Sequence, residues 1–142
     1  MEMGMADLQN EFKEVLKIGL IRYYGDVMGN TLLDAAAYRE WVQLDPQRLR
    51  MVVEDDAAAV VSLIISGRND NTLMVMIRSQ MIGCALLADA DGVTRWGTEG
   101  VNRARRIGGD WAATEKQWMW VLEDPKRYIR YARQLKHFLK QI

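Results

Sequence analysis

The sequence predicts an all-α fold: a single compact domain, residues 1–142, of about six helices. Three observations carry this. Apolar residues recur every three or four positions along several long segments. Start signals precede those segments, most clearly at Asp45-Pro46 and Asp124-Pro125, and glycines follow or separate them. After Thr72, β-branched residues are sparse and Met, Leu and Ala dominate. The rival is an α+β fold with a hairpin near residues 60–78. In it, Val60–Ser66 and Leu73–Arg78 pair as strands around the polar turn at 67–71.

In chain order, residues 6–24 read as a first helix, with Leu8, Phe12, Val15 or Leu16, Gly19 and Tyr23 along one side. Gly25 and Gly29 bracket a break. Thr31 with Asp34 resembles a capping box that opens a helix to about Leu44, whose face is Leu33, Ala37, Trp41 and Leu44. Asp45-Pro46 then starts a long helix to Ser66, with Leu49, Val53, Ala57, Val60 and Ile64 in period and Gly67 as its stop. Thr72–Ala88 reads as its partner, the two forming a central buried pair, with Gly83 allowing a neighbour to approach closely. Residues 89–97 read as a loop, after which Thr98 caps a short helix to Ile107. Gly108-Gly109 breaks the chain, and Asp110 is the expected cap for Trp111–Leu122.

The last segment, 125–142, is the most polarised. Tyr128, Ala132, Leu135, Leu139 and Ile142 make an apolar stripe, and Lys126, Arg130, Arg133, His137 and Lys140 a basic one. No carboxylate interrupts it. Charge is polarised along the whole chain as well. Nineteen basic and nineteen acidic residues cancel, yet residues 1–70 carry seven Lys/Arg against twelve Asp/Glu, and residues 71–142 carry twelve against seven. Such asymmetry marks either a tail that meets an acidic partner or two halves that attract each other, within one subunit or across a dimer.

Composition excludes several classes. Apolar residues make up 49% of the chain, which argues against disorder. One cysteine, Cys84, rules out a disulfide framework within the chain and reads as a small buried hydrophobe. No apolar run approaches the ~20 residues of a membrane span, and no basic region followed by an apolar one opens the chain. A cytoplasmic location is the expectation.

Catalytic patterns are equally scarce. A Ser-His-Asp or Cys-His unit would have to use the one histidine, His137, and a zinc site needs more Cys or His than the chain holds. No Gly-x-Gly-x-x-Gly or Walker-type loop is present. Glu54-Asp55-Asp56 falls on one helix, where adjacent side chains diverge. Asp89-Ala-Asp91-Gly92 starts like a calcium loop but lacks its later ligands. Asp91-Gly92-Val93-Thr94-Arg95-Trp96-Gly97 resembles the Asp-Gly-x-Thr-x-x-Gly loop of phage-type muramidases over seven residues. The catalytic Glu-Gly-Gly that should stand upstream is missing, with Gly83-Cys84-Ala85 in its place, so no family is assigned.

What remains is binding. Arg103, Arg105, Arg106, Lys126, Arg130, Arg133, His137 and Lys140 are the candidate binding residues, with Tyr128, Tyr131 and several tryptophans interleaved. The expectation is a small non-catalytic cytoplasmic binding protein: a regulator, adaptor or inhibitor, without cofactor or metal. It would act through protein contacts, on an acidic protein surface or on a second copy as a homodimer. The alternative is a DNA- or RNA-binding module using the basic C-terminal region. A carboxylate-based hydrolase comes third.

Overall fold

The computed structural model describes residues 4–28, 35–67 and 71–141. Over these the chain is all-α, with seven helices and no strand: α1 (Met5–Met28), α2 (Ala35–Val42), α3 (Pro46–Ile65), α4 (Asn71–Leu86), α5 (Ala90–Ile107), α6 (Trp111–Glu123) and α7 (Pro125–Lys140). The hairpin rival fails, because residues 60–65 complete α3 and residues 71–78 begin α4. The Thr31/Asp34 capping box lies outside the described residues.

Both Asp-Pro signals work as the sequence predicts. Asp45 Oδ1 accepts from the Arg48 backbone N–H at 2.9 Å, Asp124 Oδ1 accepts from that of Arg127 at 3.4 Å, and a proline opens each helix. Two other starts differ. Asp110 makes no side-chain cap bond; the first amides of α6 turn back instead to the Gly108 and Gly109 carbonyls, both at 3.2 Å. Residues 89–97 are not a loop, and Thr98 sits within α5 rather than at its start. Asp89 provides the cap, accepting from the Gly92 N–H at 3.0 Å.

The α4–α5 junction is correspondingly tight. The Asp89 N–H bonds back to the Cys84 carbonyl at 2.9 Å, with Ala88 at φ +57° between the two helices. This is the wrapped C-terminal motif that glycine usually completes. Here an alanine holds the left-handed position, at a steric cost of about 1–2 kcal/mol.

The core centres on α4. Ten of its sixteen residues are buried, and it packs against α2, α3, α5 and α7. Its expected mate was α3, but α3 buries only Leu49, Val53 and Val60 and carries exposed Met51 and Ile65. The inner partner of α4 is α5, which in turn packs against α6 and α7. The helical period of α3 marks a single covered face, whereas α4 is apolar nearly all round, as a helix enclosed by neighbours must be.

Two glycines allow this enclosure. A Cβ on Gly83 of α4 would strike the Trp41 ring and lie 2.7 Å from Val53 Cγ2, and one on Gly100 of α5 would strike the Trp118 ring. Each tryptophan therefore lies directly against helix backbone. Buried polar ties add to the packing. Tyr38 Oη donates to the Ala132 carbonyl at 2.6 Å, joining α2 to α7. Gln80 of α4, in the amide orientation that satisfies both groups, donates to the Val53 carbonyl and accepts from the Ala57 N–H of α3, each at 3.2 Å.

Glycine substitutions at two sites should move stability in opposite directions. Gly100→Ala overpacks the Trp118 contact and should cost ~1–3 kcal/mol or more. Ala88→Gly removes the left-handed strain and should gain up to ~1 kcal/mol, net of the added freedom of the unfolded chain. Paired urea denaturation curves check both, and an unchanged or lower midpoint for Ala88→Gly would contradict the strain at this junction.

Candidate interaction surface

Helix α7 splits as its two stripes predict. Tyr128, Ile129, Tyr131, Ala132, Leu135 and Leu139 are buried against the core. Lys126, Arg130, Arg133, His137 and Lys140 are all exposed. Apolar side chains dock the helix, and the period that buries them leaves the cations on the opposite side. Acidic relief on this face is slight. The Arg130 guanidinium is 3.9 Å from the Asp124 carboxylate. The His137 ring shares a 3.1 Å contact with the Gln141 amide.

The three α5 arginines do not join this face as one set. Arg103 points inward, with its side chain 7% exposed and its Nε 2.8 Å from Glu99 Oε1 on the same helix. Arg105 is exposed but tied to Glu115 of α6 at 2.5 Å. Arg106 is exposed, with its Nε 3.4 Å from the Asn102 carbonyl. The helical period explains the split: residues 103, 105 and 106 lie close in sequence but point around different sides of α5.

Tertiary structure supplies cations that spacing could not reveal. A cleft of about 290 Å³ opens between α1, α2 and α7, with Lys17, Arg39, Lys136 and Lys140 on its walls and Ile21, Val42 and Leu139 among its apolar groups. Glu14 also lines it, but Arg39 Nη2 already holds that carboxylate at 2.7 Å, with Lys17 Nζ at 4.0 Å. Burial lowers the Lys136 ammonium from its ordinary value, and Lys140 and Arg133 push the same way. The basic face of α7 thus continues into a positively charged cleft. Lys136 was within reach of sequence reasoning, three residues after Arg133 and four before Lys140, whereas Lys17 and Arg39 come from other helices.

An acidic patch forms elsewhere. Glu54, Asp55 and Asp56 are exposed on α3. The Asp56 carboxyl is raised by burial first, then by Glu40 and Asp55. Lys17–Glu14, Arg39–Glu14 and Arg48–Asp45 pair within residues 1–70. Arg103–Glu99, Arg105–Glu115, Arg127–Glu123 and Arg130–Asp124 pair within residues 71–142. None of these pairs neutralises one half of the chain with the other.

The aromatic residues interleaved with the cations are occupied. Trp96, Trp118, Tyr128 and Tyr131 are buried, and Trp111, Trp120 and Phe138 are half-buried. The Trp111 indole N–H donates to Asn71 Oδ1 at 3.0 Å. Arg127 stacks 3.8 Å above the Trp120 ring and donates to its carbonyl at 2.7 Å.

Among the described residues, no group of three or more His, Cys, Asp or Glu could hold a metal ion. No helix of the described residues is long and apolar enough to cross a membrane. The muramidase-like stretch Asp91–Gly97 is helical within α5, so it is not the loop the resemblance implies. Cys84 is buried, and burial, with Asp89 secondary, pushes its thiol up to about 12 despite the opposing effect of Arg95. Comparison with protein-family models, with curated proteins and with solved structures finds no match.

The Cys84 environment has a consequence for pH. Its thiol ionises later in the folded chain than in the unfolded one, so its contribution to stability is intact below pH 9 and is lost as pH rises toward about 12. Tyr128, raised by burial, acts in the same direction. Unfolding midpoints in urea should therefore fall above pH 9, and Cys84→Ala should flatten that limb. Iodoacetamide at pH 8 should label Cys84 only after unfolding.

Proposed function

We propose that this chain is a non-catalytic binding protein, a regulator, adaptor or inhibitor, whose α7 face docks on an acidic protein surface. One observation carries the reading: five cations recur along the exposed side of a helix whose other side is fully committed to the core. The cleft beside Lys136 and Lys140 extends the same charge onto α1 and α2. Such a face steers association and discriminates against basic partners, while costing the fold little. The exposed Glu54, Asp55 and Asp56 of α3 offer such an acidic surface on a second copy of the chain.

Nucleic acid is the second reading, favoured by the same cations. Against it stands the burial of the aromatics. Trp96, Trp118, Tyr128 and Tyr131 are buried and Trp111, Trp120 and Phe138 half-buried, so little ring surface is left on which an unpaired base could stack. Phosphate contacts alone would remain. A cytoplasmic location fits both readings.

The triple variant Arg130→Glu, Arg133→Glu, Lys140→Glu separates these possibilities. Its stability should change by no more than ~0.5 kcal/mol, because these side chains are solvated. Capture of acidic partners from a host extract should disappear. For a protein partner, salt should chiefly slow association. For a random-sequence oligonucleotide, log affinity should fall with log salt at about −0.9 per phosphate contacted in a duplex. Normal melting with undiminished capture would leave the basic stripe as plain solvated surface.

A further inference from the structure

Three helices deliver the same pair of residues to the cleft between them. α1 brings Lys17 and Ile21, α2 brings Arg39 and Val42, and α7 brings Lys136 and Leu139. In each pair a cation stands three or four residues before an apolar side chain, so both lie on one face of the helix. Lys140 adds a second cation from α7. The cations are not equally engaged. Arg39 Nη2 holds the Glu14 carboxylate at 2.7 Å, and Lys17 Nζ stands farther off at 4.0 Å. Among the described residues neither Lys136 nor Lys140 has an ion pair. Three ammonium groups thus line one cleft whose carboxylate is committed chiefly to a fourth cation. Between them Ile21 and Leu139 are buried and Val42 is half-buried, which gives the cleft an apolar lining.

We propose that this cleft is a binding site for a small organic phosphate, a phosphate monoester on a short apolar body. Like charges gathered in a partly buried space repel, and an anion among them removes that cost. Lys136 already shows the strain: burial first, then Lys140 and Arg133, lower its ammonium from the ordinary value. A phosphate monoester brings a charge of about −1.5 to −2 and three acceptor oxygens, enough for one to each ammonium. A carboxylate brings one charge, and a backbone diester one per phosphate. Size restricts the rest of the ligand. The cleft holds about 290 Å³. That is the space of roughly ten waters at ~30 Å³ each, which suits a body as small as phenyl phosphate. The apolar groups take the ring, and the lysines take the phosphate.

The cleft site goes beyond the docking face of α7. Lys140 serves both, but Lys17 and Lys136 lie outside the stripe of five cations. Isothermal titration of the whole chain with phenyl phosphate tests it, with amide NMR to locate the site. The expected result is saturable one-to-one binding, with shifts confined to α1, α2 and α7 around the cleft. No saturation up to about 10 mM would overturn it. Inorganic phosphate lacks the apolar body and benzoate the second charge, so each should bind about 10-fold more weakly or worse. Equal affinity for either would overturn the assignment. Lys17→Gln and Lys136→Gln should each weaken phenyl phosphate about 10-fold, while melting within about 3 °C of the parent. Lys116→Gln, exposed on α6 and outside the cleft, should bind as the parent does. Undiminished binding by both cleft variants would place the site elsewhere. Retention on phosphatidylcholine vesicles carrying phosphatidic acid, without binding of phenyl phosphate, would assign the cleft to a lipid surface and overturn the small ligand. Capture of acidic proteins through α7 with no phenyl phosphate binding would leave the docking face standing and remove the cleft site, and the opposite pair of results would do the reverse.

Discussion

Two tryptophans set directly on helix backbone are the contact on which this structure depends. Trp41 covers Gly83 and Trp118 covers Gly100. A ring on a glycine buries more apolar surface per residue than aliphatic chains interdigitating at normal spacing, and it draws the helices closer. Trp41 brings α2 onto α4, and Trp118 brings α6 onto α5. With α4 and α5 joined through a three-residue connection, Leu87 to Asp89, and a shared use of Asp89, the inner pair is held end to end as well as side to side. Helices α1, α3 and α7 then close around that pair. The strained Ala88 is tolerated because hydrogen bonds on both sides of it determine where the chain must turn.

That core determines where charge can go. α7 has to present Tyr128, Ala132 and Leu135 to α4 and α5, so its cations have no inward position available. Arg103 is the instructive exception. On α5 the period carries an arginine into the interior, and Glu99 one turn earlier accompanies it. A buried cation without such a partner would be costly. Pairing of this kind is local throughout the ion pairs described, each joining residues of the same half of the chain. None of the described pairs sets one half of the chain against the other.

α1 shows the complementary case, in which hydrophobicity survives folding. A helix that serves one core needs one apolar side. α1 has two, and the side most regular in the sequence, through Leu8, Phe12 and Val15, is the one turned outward. Ile21, which anchors the helix inward, stands outside that regular stripe. Periodicity identifies a face that avoids water without stating what covers it, and both a subunit's own core and another chain satisfy it equally.

The sequence by itself determined the helical class, most of the helix starts, and the division of α7 into two sides, because caps and 3.6-residue periods act within a few residues of one another. It also determined that Cys84 and Gly83 would sit in close-packed surroundings. Only the tertiary structure decided which helices are central. α3 and α4 carry similar apolar periods, and what separates them is the number of neighbours, a property of no single segment. Residues 89–97, with Gly92 and Gly97, read as a loop, yet they open α5, where Asp89 caps the helix and Leu122 lies against Gly97. The cleft cations Lys17 and Arg39 belong to helices remote in sequence from Lys136 and Lys140, and they converge because Coulombic surroundings depend on position in space rather than on order along the chain.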